Sequence, residues 1–304
     1  MSATDPEQIL ASHTPKPPSF WQRYRLPYLY ILPAFIVLAV VTFYPIGYEI
    51  YLSFTNFTIK SFKNGSDWVG LANYRRILTG EIPIPNFDFW RVLLFNFTWT
   101  VVNIVFHVTI GISVALILNR KRIIGRRVFR ALFIIPWAMP SLVVSLVWNK
   151  MFNSQFGAIN LTLEALGLPH NIRWLESTHA PIPFLPFLPL AFYAVAIANI
   201  WLGWPFMMVV ATGALQSIPG DLYEAAKIDG ATRAQQFRDF TAPMLRWAMV
   251  PAIMYGTILT FNQFNVIYFI TAGGPLGKTE ILVTQAYKLA NPNGLYGVAA
   301  AFSV

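Results

Sequence analysis

The chain has 304 residues, 56% hydrophobic and 12% charged, where an ordinary soluble domain carries roughly 25% charged residues, so its apolar surface exceeds what one aqueous core can bury. A formal charge of +9 in so apolar a chain marks membrane orientation rather than nucleic acid binding. The absence of cysteine excludes disulfides, thiolate metal sites and cysteine nucleophiles, and the expected fold class is an all-α membrane protein.

Residues 1–18 hold four prolines among polar neighbours and read as a flexible tail. Residues 19–25 read as an interfacial lead-in, with Phe20, Trp21 and Tyr24 at headgroup level. The chain therefore divides into a tail and lead-in over 1–25 and a transmembrane domain over 26–304. A helix needs about 20 apolar residues to cross a bilayer, and the charge-free runs predict spans near 28–52, 92–118, 129–151, 190–215 and 247–271. The first run is too long and too aromatic for a secretory signal and has no small-residue cleavage site, so it is expected to remain in the mature protein. Short surface helices are predicted over 69–78 and 157–166. The run over 177–220 exceeds one helix and begins with Pro181, Pro183, Pro186 and Pro189, which places a loop ahead of the fourth span. A sixth span starts from 295, and at about 1.5 Å per residue its tail is too short to cross; truncation within that span is expected.

The segment 119–130 carries Arg120, Lys121, Arg122, Arg126, Arg127 and Arg130 with no acidic residue, and the tail adds Lys16, Arg23 and Arg25. Both are expected in the cytoplasm. Lys60, Lys63, Arg75, Arg76 and Arg91 oppose this orientation from the first outside loop, diluted by Asp67, Glu81 and Asp88. Two spans separate the Arg120 loop from a charged island over 219–243, which puts that island in the cytoplasm as well.

Within the island, Asp221 with Glu224 three residues on is expected to cap one short helix, Gly230 to end it with a left-handed turn, Thr232 to cap a second, and Pro243 to stop it. This is a helical elbow hinged at one glycine. Glu224, Ala225, Ala226, Asp229, Gly230, Ala231, Phe237 and Pro243 resemble the EAA loop of ABC importer permeases. Shorter matches at Val69-Gly-Leu-Ala-Asn-Tyr74, Phe129-Arg-Ala-Leu-Phe-Ile-Ile-Pro136 and Pro219-Gly-Asp-Leu-Tyr223 extend the resemblance over most of the chain. It implies a six-span type I importer permease in a bacterial or archaeal cell membrane. The implied partners are a second permease, two ATP-binding subunits that carry ATP and magnesium, an extracytoplasmic solute-binding protein and membrane lipid; this chain itself would be non-catalytic and hold no cofactor. Residues Glu224, Ala225, Ala226, Asp229, Gly230 and Ala231 would couple to the ATPase, with Ala225 and Ala226 pressed against it and charged neighbours at the rim.

Ala272-Gly-Gly-Pro-Leu-Gly-Lys-Thr279 fits a relaxed phosphate-loop pattern. It follows a membrane span rather than a strand, contains Pro275 and is predicted outside, so it is read as a plain loop. Asn199-Ile-Trp-Leu-Gly-Trp-Pro-Phe-Met-Met208 combines an amide, two indoles, a glycine and the helix-kinking Pro205, and Thr260-Phe-Asn-Gln-Phe-Asn265 adds amides and a hydroxyl on the next span. Such groups suit a neutral polyhydroxylated ligand, and they serve equally as interhelical hydrogen-bonding and packing groups; the residues alone leave both readings open. The first stretch is similar to the larger permease subunit of maltose importers, which implies substrate-path positions at Asn199, Leu202, Gly203 and Phe206, joined from the later span by Thr260 and Gln263. An asparagine-rich run of that subunit is replaced here by Thr260 and Gln263, and the resemblance is rather to the shorter six-span sugar permeases, so the extra amino-terminal spans and outside domain of that subunit are not expected. The implied cargo is a disaccharide or short oligosaccharide such as maltose or trehalose.

Only Glu49, at the outer end of the first span, and His107, read as a packed helix residue, approach the membrane interior as ionisable groups. A glycerol 3-phosphate permease would favour an Arg or Lys in the central spans. A secondary carrier for a neutral solute accounts for the spans but leaves the elbow unexplained, and an assembly subunit leaves the polar spans without work. The triplets starting at Asn56, Asn64, Asn96 and Asn160 occur at chance frequency and receive no role.

Overall fold

The structure, a computed structural model, describes residues 19–120, 123–183 and 185–304. The tail 1–18 with Lys16, the basic-loop residues Lys121 and Arg122, and the side chain of Arg23 lie outside what it describes. Among the described residues the only pairing of extended backbone is an isolated bridge between Thr55 and Trp68; the remainder is helix and loop.

The first helix among the described residues is α1 (Phe20–Leu38), so the lead-in from Phe20 on is already helical. A π turn (Ala39–Phe43) leads into α2 (Tyr44–Ser53). Further on come α3 (Ala72–Thr79), α4 (Phe89–Leu118), α5 (Arg126–Ala138), α6 (Ser141–Met151), α7 (Ala158–Ala165) and α8 (Leu190–Ser217). The elbow contributes α9 (Gly220–Ile228) and α10 (Arg233–Gln236), followed by a second π turn (Phe237–Thr241), α11 (Ala242–Phe261) and α12 (Phe264–Thr271). Two further helices, α13 (Leu282–Ala290) and α14 (Tyr296–Ser303), complete the described chain. Among the described residues, four stretches, Tyr24–Ser53, Phe89–Leu118, Leu190–Ser217 and Arg233–Thr271, are long and apolar enough to cross a membrane, and the bent pair α5–α6 makes a fifth if its two helices form one span.

Three features depart from expectation. The third span is not one helix: α5 and α6 meet at 90°. Pro140 forces the residue before it out of helical geometry, and Met139 is extended at φ −80°, ψ 140°. Pro243 does not stop the elbow, because it sits in the first turn of α11, where its missing N–H costs no helical bond. The π turn just before it absorbs the crowding of the proline ring: Ala242 N donates to Phe237 O, as Tyr44 N donates to Ala39 O ahead of Pro45. Finally, the fifth span is broken between α11 and α12 at Asn262 and Gln263.

The core is built on α4 and α8, which run parallel with α11–α12 packed antiparallel against them. At one end Phe95 and Trp99 of α4 meet Phe192 and Val195 of α8 and Ile267 and Ile270 of α12. At the other, Ala115 and Leu118 meet Met208, Ala211 and Leu215, with Leu245 and Met249 of α11. Ile123 and Tyr223 pack on this second cluster, so the basic loop and the elbow lie at the same end of the bundle. A third cluster joins α3, α13 and α14. Within the match Val69-Gly-Leu-Ala-Asn-Tyr74, Asn73 is buried and donates Nδ2 to Ser53 O (2.9 Å) and Thr55 O (2.7 Å), answering carbonyls left open at the end of α2.

Candidate functional site

The elbow is formed by local chemistry. Gly230 has φ +80°, Gly230 N donates to Lys227 O (3.2 Å) and Ala231 N to Ala226 O (2.8 Å), the paired bonds of a Schellman ending. Thr232 caps α10 through a reciprocal box with Gln235: Gln235 N donates to Thr232 Oγ1 (3.3 Å) and Thr232 N to Gln235 Oε1 (2.7 Å). Tyr223 Oη and Thr241 Oγ1, 2.8 Å apart, tie α9 to the π turn. Asp221 is not a cap. The helix begins behind Pro219 without a side-chain cap, and Asp221 occupies its first turn, where its charge still faces the positive end of the helix. Of the coupling residues, Glu224, Ala225, Asp229 and Gly230 are exposed and Ala231 half-buried, but Ala226 is buried in its own chain rather than turned outward. Ile228, which the sequence reading passed over, is 87% exposed on the same elbow; its signal was an apolar residue between Lys227 and Asp229.

The phosphate-loop lookalike is filled by its own side chains. It follows α12, and a Cβ on Gly273 would fall on the carboxylate of Glu280. Buried Glu280 pairs with Lys288, which also donates to Ala272 O (2.6 Å). Thr279 is buried and donates to Gly274 O (2.6 Å). This ion pair, buried at Glu280 and half-buried at Lys288, was not anticipated.

Asn199, Leu202, Gly203 and Phe206 of α8, Thr260 of α11 and Gln263 all line one cavity of about 430 Å³. His107, Trp137, Ser141 and Asn262 line it too, and the sequence reading had placed none of these four in the path. Among the described residues lining it there is no Asp, Glu, Lys or Arg. One wall is aromatic: the rings of Trp137 and Phe206 lie 5.8 Å apart at 31°, and Tyr255, which does not line the cavity, stands 5.9 Å from Phe206.

The helix break beside the cavity frees carbonyl groups that cannot stay unpaired in an apolar setting. Trp99 Nε1 donates to Thr260 O (3.0 Å) and Asn96 Nδ2 to Phe261 O (3.2 Å), while Asn96 Oδ1 accepts from Leu282 N (2.8 Å). Asn96, given no role from its triplet, thus fastens the break. Behind the wall, Gln263 Nε2 donates to Asn199 Oδ1 (3.2 Å), Asn199 Nδ2 to Asn103 Oδ1 (2.8 Å) and Asn103 Nδ2 to Trp99 O (2.8 Å). His107 Nε2 lies 3.0 Å from Asn199 O. It reaches that carbonyl across Gly203, where a Cβ would stand 2.3 Å from His107 Cε1. Gly203→Ala is therefore expected to displace the His107 ring and lower stability by about 1–3 kcal/mol, measurable as an earlier thermal unfolding midpoint of the detergent-purified protein.

The family described as "Binding-protein-dependent transport system inner membrane component" matches residues 107–304, which include both the cavity and the elbow. The chain belongs to this family. Among relatives, it is 36% identical over 286 residues to the galactooligosaccharides transport system permease protein GanP of Bacillus subtilis (strain 168), covering 91% of this chain and 66% of GanP. It thus spans just under two thirds of that relative. It is 35% identical over 280 residues to the trehalose/maltose transport system permease protein MalF of Thermococcus litoralis, covering 92% of this chain and 88% of MalF. Among solved structures, a bacterial alginate ABC transporter in complex with alginate pentasaccharide-bound periplasmic protein superposes with a TM-score of 0.71 at 20% identity, over 94% of this chain and 91% of that one. The all-α membrane fold of this family member is therefore that of an ABC transporter permease.

Proposed function

We propose that the chain is the membrane-spanning permease subunit of a binding-protein-dependent ABC importer, and that it carries a neutral sugar, a disaccharide or short oligosaccharide such as maltose or trehalose, through the cavity at Asn199 and Gln263. The observation that carries this reading is the composition of that cavity: amides, hydroxyls and an aromatic wall with no charged side chain, at a helix break. Sugars need amide and hydroxyl partners for their OH groups and flat apolar faces for their rings. A phosphorylated cargo such as glycerol 3-phosphate would call for a basic side chain there.

The elbow is the docking element for an ATP-binding subunit, with Glu224, Ala225, Asp229 and Gly230 at the contact, Ile228 as an added apolar anchor, and Ala226 and Ala231 holding its shape. ATP and magnesium belong to two such subunits, and hydrolysis occurs there. A second permease closes the other side of the cavity, and a solute-binding protein delivers sugar at the opposite face. The exposed apolar flank of α1 and α2 suits lipid or that second permease. The amino terminus and elbow lie in the cytoplasm of a bacterial or archaeal cell. Coupling follows the chain: α10 continues through the π turn into α11, whose far end is the break at the cavity, so a push on the elbow reaches Asn262 and Gln263 along one helical lever.

Gln263→Leu and Asn199→Leu are expected to raise the KM for sugar uptake by about ten-fold each, the factor for one lost hydrogen bond, while the complex still assembles. Uptake assays on proteoliposomes with the intact complex check this; lost assembly, or an assembled complex with unchanged KM, would instead make these amides structural.

A further inference from the structure

The amide chain behind the cavity has a direction. The main-chain oxygen of Trp99 only accepts, so the group of Asn103 that meets it at 2.8 Å is Nδ2. Asn103 then turns Oδ1 toward Asn199, which answers with Nδ2 at 2.8 Å and is left with Oδ1 to receive Gln263 Nε2 at 3.2 Å. One carbonyl thus fixes the orientation of three amides whose oxygen and nitrogen ends are otherwise interchangeable. At the open end of the chain Gln263, a cavity-lining residue, has Oε1 left over. Asn103 itself does not line the cavity and is fully buried.

We propose that Asn103 is a positioning residue that orients Asn199 and Gln263 so that the cavity wall offers an amide carbonyl to a ligand hydroxyl, selecting sugars that carry a hydroxyl donor at that place. This rests on the reading of the cavity as the sugar path. Without Asn103 both amides are free to turn over, and the wall presents an N–H where it had presented oxygen.

The test uses the complete complex in proteoliposomes, first with maltose and trehalose and then with monodeoxy analogues of the sugar that the wild type carries. Asn103→Leu is expected to raise KM about ten-fold with maximal uptake retained. One deoxy sugar that is penalised in the wild type should carry no added penalty in the variant, and Asn103→Leu combined with Gln263→Leu should be no worse than Gln263→Leu alone. Asn103→Ser, which keeps a donor for Trp99 O but is too short to reach Asn199, should behave as the leucine variant does. A wild type that carries sugar together with an unchanged KM in both variants, or additive effects with Gln263→Leu, overturns the proposal alone. If both variants fail to assemble, Asn103 is a packing residue and the proposal falls. A wild-type complex that carries no sugar overturns the sugar reading and this proposal with it.

Discussion

Gly230→Val in the assembled transporter should separate ATP hydrolysis from sugar movement: uptake falls at least about ten-fold, the factor equivalent to ~1.4 kcal/mol, while ATPase activity persists. The left-handed conformation at φ +80° costs a residue with a Cβ roughly 1–2 kcal/mol, and a β-branched one more. Nothing in this chain lies within 4 Å of a Cβ built there, so within the subunit steric collision adds nothing and the effect on the elbow is backbone strain. Relieving the strain rotates α10 against α9 and breaks the bonds from Gly230 N and Ala231 N, which moves the base of the α11 lever. Gly230→Asn, which tolerates the left-handed region, should retain most uptake. Parallel measurements of uptake and ATP hydrolysis decide the matter, and normal uptake by Gly230→Val would remove the hinge from the mechanism.

Gly111→Leu should prevent accumulation of the folded protein. A Cβ at this position would stand 2.6 Å from Met207 Cβ, 2.8 Å from Met208 N and 2.9 Å from Trp204 O. Two of those atoms are backbone of α8, so no rotamer change makes room and the central α4–α8 crossing must open. Small residues at such crossings let membrane helices approach closely, and overpacking of about 3 kcal/mol or more is a large part of a typical folding stability. Gly256→Ala is the contrast: its Cβ would meet side-chain atoms alone, the flexible end of Met207 at Cε, 2.6 Å away, and Ile104 Cδ1 at an ordinary 3.6 Å. Membrane yield and size-exclusion profile of the two variants test this, and a monodisperse Gly111→Leu at normal yield would contradict the packing account.

The elbow was legible because its determinants are local. Gly230 and Thr232 act on neighbours within five residues, and the caps they form follow from side-chain chemistry alone. Pro243 was misread because the same residue stops a helix from within and is tolerated in its first turn; the π turn that decides between these has no composition of its own. Pro140 was a visible signal for the bend between α5 and α6. The break at Asn262 and Gln263 had no such signal, since no glycine or proline marks it and the charge-free run continues past Phe264. What holds that break open comes from far away in the chain: Asn96 and Trp99 bond carbonyls more than 160 residues on. The cavity positions on α8 could be named from motif resemblance, whereas His107 and Ser141 join them, and Asn103 backs them, only through tertiary packing.

The most direct test of the central claim is sugar uptake by the complex purified from native membranes through a tag on this chain and reconstituted in proteoliposomes. The account predicts co-purification of a second permease and an ATP-binding subunit. It also predicts uptake of labelled maltose or trehalose that requires ATP on the elbow side and a solute-binding protein on the other. Recovery of this chain alone, taking up sugar without ATP, would contradict it.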